Sequence, residues 1–154
     1  SMGGMPRRRK TWSEKFEARK EPEIVDDPRG RGKMLIPTPR LIDSLIRRVP
    51  RGRLVTVDRI RERLAEDFHV DLTCPLATGW FVRIVAEAAE EERKTGATDI
   101  TPYWRVIRRD GSLIEKFPGG GRRQAALLRG EGHTIQRARN TLRVKDYERS
   151  LITL

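Results

Sequence analysis

The stretch from Ile100 to Gly120, ITPYWRVIRRDGSLIEKFPGG, concentrates more backbone restriction than any other part of the chain. Pro102 locks its own φ and pushes Thr101 toward extended backbone, so Tyr103, Trp104 and Arg105 leave a rigid turn rather than a helix interior. Val106 and Ile107 then read as a short buried strand. Asp110-Gly111 is a two-residue turn signal, and Leu113-Ile114 restores apolar chain before the break at Pro118-Gly119-Gly120. The pattern predicts a small hairpin-like loop with two large aromatics and an arginine at its mouth.

The flanking chain is helical in character. Thr38-Pro39 supplies an N-cap and a first helical position, and Leu41, Ile42, Leu45, Ile46 and Val49 repeat at helical spacing until Pro50 and Gly52. Arg47, Arg48, Arg51 and Arg53 crowd that helix end, where cations suit the dipole and could also meet phosphate. Leu54 to Thr56 is a short extended link. Asp58 is then placed to cap a helix reaching about Phe68, and Pro75 opens a longer helix to near Lys94. Helix, turn, helix is the arrangement of a DNA-reading unit, although helical hairpins also serve plain core packing. In the second helix Trp80, Phe81, Ile84, Val85 and Ala88 form an apolar stripe with Arg83 as the one cation in the middle. A last short helix is expected over Gln124 to Arg129, stopped by Gly130 and Gly132, with a further hairpin in the C-terminal extension 134–154. The N-terminal 33 residues, which carry Arg7-Arg8-Arg9-Lys10, are too polar to pack and read as a basic disordered arm.

Charge narrows the partner. With 33 Lys and Arg against 22 Asp and Glu the net charge is +11, which points to an anionic ligand, nucleic acid first. No apolar run approaches the length of a membrane span, so a cytoplasmic, nucleoid-associated monomer is expected, without membrane contact. One cysteine excludes an internal disulfide, and two histidines with one cysteine are too few for an ordinary structural zinc site, so neither metal nor cofactor is expected. Cys74 sits before Pro75 at a helix start, where it reads either as a small buried residue or as a thiol of lowered pKa.

Taken in order, Pro102-Tyr103-Trp104-Arg105-Val106-Ile107, Asp110-Gly111, Gly119-Gly120, Leu127-Leu128 and Glu131-Gly132 resemble the C-terminal domain of the alkylguanine DNA alkyltransferases. That family carries Pro-Cys-His-Arg-Val, a Gly-Gly loop and a Leu-Leu-x-x-Glu-Gly ending. The resemblance continues upstream through Val49-Pro50-x-Gly52-x-x-Val55-Thr56 and spans roughly Leu35 to His133. It implies a mainly α fold with a small β-hairpin, a winged helix-turn-helix-like DNA-binding domain over residues 34–133.

The departures from that family set the expected chemistry. Tyr103 stands at the place of the acceptor cysteine and Trp104 at the place of its activating histidine, leaving only Glu131 of the Cys-His-Glu relay. A phenol with an ordinary pKa near 10 is a poor substitute for a thiolate. The chain is therefore similar to the alkyltransferase-like branch, which lacks the acceptor cysteine and binds alkylated DNA without repairing it. The resemblance implies double-stranded DNA as partner, with room for a DNA-repair protein as a second. It also implies a base pocket of Tyr103, Trp104, Arg105, Phe117, Gly119, Gly120 and Glu131, with Arg83, Trp80, Thr56, Arg51 and Arg53 on the DNA. The family fills the space of a flipped-out base with an arginine from the second helix. Arg83 falls near that position, and Trp80 and Phe81 compete for it. Val57 replaces a tyrosine that helps turn the target phosphate. Two other readings stay open: an enzyme using Cys74 or the pair Tyr103 and Glu131, and a regulatory module in which the aromatics are core.

Overall fold

A computed structural model describes Gly4 and residues 8–154. Five helices, α1 (Trp12–Ala18), α2 (Pro39–Ile46), α3 (Val57–Phe68), α4 (Pro75–Lys94) and α5 (Gly120–Gly130), pack with seven short strands. The strands are β1 (Glu23–Asp26), β2 (Lys33–Ile36), β3 (Val55–Thr56), β4 (Leu72–Thr73), β5 (Val106–Ile107), β6 (Ile135–Ala138) and β7 (Thr141–Val144). Each helix starts where local chemistry allows. The Thr38 hydroxyl accepts from Leu41 N–H ahead of Pro39, and Pro75 opens α4. The cap of α3 is Thr56, whose hydroxyl accepts from Arg59 N–H, rather than Asp58, which lies inside the first turn. α3 stops at His69, held in the left-handed region at φ 54°.

Three small sheets brace the helices. β1 pairs antiparallel with β2 and β2 parallel with β4. β3 and β5 pair in parallel through Val55 opposite Val106, tying the link before α3 to the strand after Arg105. The expected loop is therefore closed differently: β5 pairs with β3, while Leu113 donates its N–H to Leu142 of the antiparallel β6–β7 hairpin at 2.9 Å.

Burial divides into two clusters. The larger gathers Leu35, Ile42, Ile46, Ile60, Leu64, Val82, Val85, Tyr103 and Phe117 from β2, α2, α3, α4 and the central stretch. The second unites Leu54, Ile107, Leu113, Ala125, Leu128 and Val144. One segment differs from expectation, and a second, expected as a hairpin of open role, forms it as β6–β7. Part of the N-terminal arm is ordered, because Trp12 and Phe16 of α1 pack on the main cluster and β1 extends the sheet of β2. Of its basic run, Arg7 lies outside the described residues. The C-terminal extension is no appendage, since Val144 completes the second cluster. Among the described residues no helix is long and apolar enough to cross a membrane.

Candidate nucleic-acid interface

α4 buries Thr78, Phe81, Val82, Ile84 and Val85 and turns Pro75, Leu76, Gly79 and Trp80 outward. On that outer face Leu76 is 86% exposed and Trp80, one turn on, is 43% exposed. They overlook a cleft of about 770 Å³ between α4, the start of α3 at Val57 and Asp58, the turn Arg108-Arg109-Asp110, and the segment Ile114 to Phe117. The half-exposed Trp80 indole gives it a flat apolar wall, the buried Phe117 lies at its base, and Gly79 keeps the α4 wall low. The first turn of α4 also opens here, so its unpaired N–H groups add positive potential at the cleft's edge.

The charge of the cleft is cationic where it is free. Arg109 is committed to Asp58, and Asp110 accepts the N–H and hydroxyl of Ser112 at 3.0 and 2.6 Å. Arg108 and Lys116 are exposed and form no ion pair among the described residues. Arg83 reaches its nearest carboxylate, Glu87, only at 3.9 Å, and its Nε has no hydrogen-bond partner among the described residues. The lining contains no thiol, hydroxyl or imidazole. Such a site can hold a flat ring and the phosphates beside it.

Of the expected base pocket, only Phe117 lines this cleft; Trp80 and Arg83 of the expected DNA contacts join it. Tyr103 does not. It is 0% exposed, edge-on to Trp104 and Phe117 with centroids 5.4 and 5.2 Å away, and its hydroxyl donates to Glu90 Oε1 at 2.7 Å. Glu90 also accepts from Arg93 Nε and Arg123 Nε at 2.7 and 2.9 Å, joining α4 to α5. Burial, and then the neighbouring Glu90 carboxylate, push the Tyr103 phenol well above its ordinary pKa. Burial works to raise Glu90 as well, but the bonds from Tyr103, Arg93 and Arg123 outweigh it and hold the carboxyl below its usual range. Tyr103 is thus a neutral core donor, because a large ring behind a rigid proline turn has nowhere to go but inward.

Trp104, Arg105 and Glu131 form a separate cluster. Glu131 accepts from Trp104 Nε1 at 2.7 Å, from Arg105 Nε and Nη2 at 3.0 and 2.9 Å, and from Gly52 N–H at 2.9 Å. Burial opposes its ionisation, yet Arg105, Gly52 and Trp104 together keep the carboxyl below its usual range. Arg105 also donates to the Val49 carbonyl at 2.7 Å, so the group locks the end of α2 to the end of α5. Gly119, at φ 72°, caps α5, where a Cβ would come within 2.8 Å of Arg123 Cβ; Gly120 continues that turn at φ 63°. The remaining expected DNA contacts also have structural duties. Thr56 caps α3, Arg51 donates to the Gly130 carbonyl at 2.8 Å, and Arg53 clasps the Ser150 and Leu151 carbonyls at 3.0 Å each. Cys74 precedes α4 and is absent from the cleft lining.

Sequence reasoning missed Leu76, Arg108 and Lys116 in the cleft. Their signal was present: two arginines flank the Asp110-Gly111 turn, and an exposed leucine follows Pro75 at a helix start. Glu90 and Gln124 were also missed. Gln124 is fully buried, its Nε2 donating to the Trp104 and Val106 carbonyls at 3.1 and 2.8 Å and its Oε1 accepting from Ile114 N–H at 2.8 Å.

No family model matches the chain, and no curated protein sequence matches it. Among solved structures the fold is similar to that of S. pombe Atl1, crystallised in complex with damaged DNA containing O6-carboxymethylguanine. The two are 16% identical, the match covers 74% of this chain and 93% of the Atl1 chain, and the TM-score is 0.51. At that identity the likeness speaks for architecture, and the architecture is the mainly helical alkyltransferase-like DNA-binding fold with small sheets.

Proposed function

We propose that the protein binds duplex DNA across the cleft beside α4 and accepts an extruded base there, an alkylated guanine being the fitting lesion, without moving the alkyl group. The observation that carries this reading is the cleft itself: the half-exposed Trp80 indole as a flat wall, with Arg108 and Lys116 forming no ion pair and Arg83 Nε no hydrogen bond among the described residues. Stacking in such a site offsets the few kcal/mol of extrusion, which is smallest for a damaged base. The net charge of +11 supplies the long-range attraction, and the fold shared with Atl1, a protein crystallised on damaged DNA, supports DNA as the partner. Retention without chemistry follows from the side chains at the former relay. The Tyr103 phenol is buried and its pKa raised, and both Glu131 oxygens are occupied.

The test is equilibrium binding of the full chain to duplexes with and without one O6-carboxymethylguanine at several salt concentrations, followed by intact mass of the protein. Affinity should fall steeply with salt, Arg108→Ala and Lys116→Ala should each reduce the salt slope by about one, and the modified duplex should bind tighter at every salt. Protein mass should stay unchanged. A flat salt response removes DNA as the partner, and a stoichiometric adduct removes the non-enzymatic reading.

A further inference from the structure

We propose that α1 belongs to the nucleic-acid interface. Trp12 backs Trp80 as a stacking platform at the mouth of the cleft, and Lys15 with Arg83 holds the phosphate of the nucleotide resting on it. The proposal rests on the reading of the cleft as a DNA site and adds to it an element outside the span of the family resemblance.

The two indoles lie 5.9 Å apart between centroids at an interplanar angle of 59°, so Trp12 shields part of Trp80 while 43% of Trp80 stays exposed. Two cations converge on the same rings. Lys15 Nζ is 4.1 Å from the Trp12 centroid and 5.7 Å from Trp80, and Arg83 Cζ is 5.3 and 5.8 Å from the same pair. Ring faces attract each cation. Arg83 meets Glu87 only at 3.9 Å and its Nε has no hydrogen-bond partner among the described residues, and Lys15 forms no ion pair among them. A phosphate beside these rings meets both cations. A nucleotide supplies both components, a flat base for the indoles and a phosphate for the cations, and neither an acidic peptide nor a free phosphate supplies the first. α1 is held in position by its own capping and by Glu91 of α4, which accepts the N–H groups of Trp12 and Ser13 at 2.8 and 3.1 Å. Leu76, on the same face of α4 one turn earlier, extends the apolar surface toward the cleft.

The experiment measures affinity of the full chain for the O6-carboxymethylguanine duplex across salt concentrations, with Lys15→Ala, Trp12→Ala and Trp12→Phe, and with Lys116→Ala reporting on the cleft. Lys15→Ala should keep the wild-type melting temperature, weaken binding several-fold at low salt and lower the salt slope by about one. Trp12→Ala should weaken binding about ten-fold, the scale of one lost stack, and Trp12→Phe should keep most of it. Wild-type affinity and slope for Lys15→Ala overturn the proposal whatever Trp12→Ala does, because loss through Trp12 alone is what a mere prop for Trp80 gives. If Lys116→Ala weakens binding in that case, the cleft stands as a DNA site and only the role of α1 falls. No binding by the wild type sinks both.

Discussion

Tyr103 is anchored in the core by both its ring and its hydroxyl. Its phenol joins Glu90, Arg93 and Arg123 in a buried network, and its ring fills the main cluster between Trp104 and Phe117. Tyr103→Phe keeps the ring and removes one hydrogen bond to a charged group, so stability to denaturant should fall by about 1.5–3 kcal/mol with DNA affinity unchanged. The pH dependence has a definite sign. A folded phenol with raised pKa contributes stability that is complete below the unfolded value of about 10 and is lost as pH rises above it. Glu90 and Glu131, both lowered, contribute stability present above the unfolded carboxylate value of about 4.3 and lost as pH falls below it. Denaturation midpoints against pH should therefore decline at both ends, and Tyr103→Phe should remove the part of the alkaline decline that Tyr103 causes.

Among the elements, α1 is the least self-sufficient. Seven residues are too few for an isolated helix in water, and none of them is fully buried. It persists through the capping box of Thr11 and Glu14 and through the carboxylate of Glu91, which serves as a second cap delivered from α4. Glu91→Ala should cost about 1 kcal/mol, the usual worth of a cap, and hydrogen exchange should locate the loss in residues 12–18 while α4 keeps its protection. Equal loss across α4 would mean that Glu91 stabilises the whole bundle instead.

At the scale of the molecule, the C-terminal extension is half of a core. Leu54 bridges Leu151, Leu113 bonds Leu142, and Val144 donates to the Gly111 carbonyl at 2.9 Å. Gly111 itself is required at φ 85°, and a Cβ there would run into the Tyr147 ring. A chain ended at His133 would uncover Leu54, Ile107, Leu113 and Leu128, and at about 25 cal/mol per Å² of apolar surface this costs several kcal/mol. Such a chain should melt far below the full protein or fail to fold, even though the family resemblance ends near that residue. Undiminished melting would make the extension an independent addition.

Local signals in the sequence determined the elements. Thr38-Pro39 and Pro75 announced α2 and α4, apolar spacing announced their buried faces, and Pro102 with Asp110-Gly111 announced the short strand and turn between them. They worked because caps, proline and periodicity act within a few residues of chain. The cap of α3 went to Thr56 because its side chain, one residue before the helix, reaches the free N–H of Arg59, which Asp58 inside the first turn cannot do. Trp80, Arg83 and Phe117, which the family resemblance put on the DNA or in the base pocket, line the cleft beside α4. Which faces meet was decided only by tertiary structure. Trp12 finds Glu91 across 79 residues, Gly52 finds Glu131 across 79, and Arg53 finds Leu151 across 98. Tyr103 turned inward because Glu90 offered its hydroxyl a buried partner, and Arg51 and Arg53 were drawn onto carbonyls that only folding brings near. Periodicity tells which side of an element avoids water; the partner waiting on that side is set by how the elements pack.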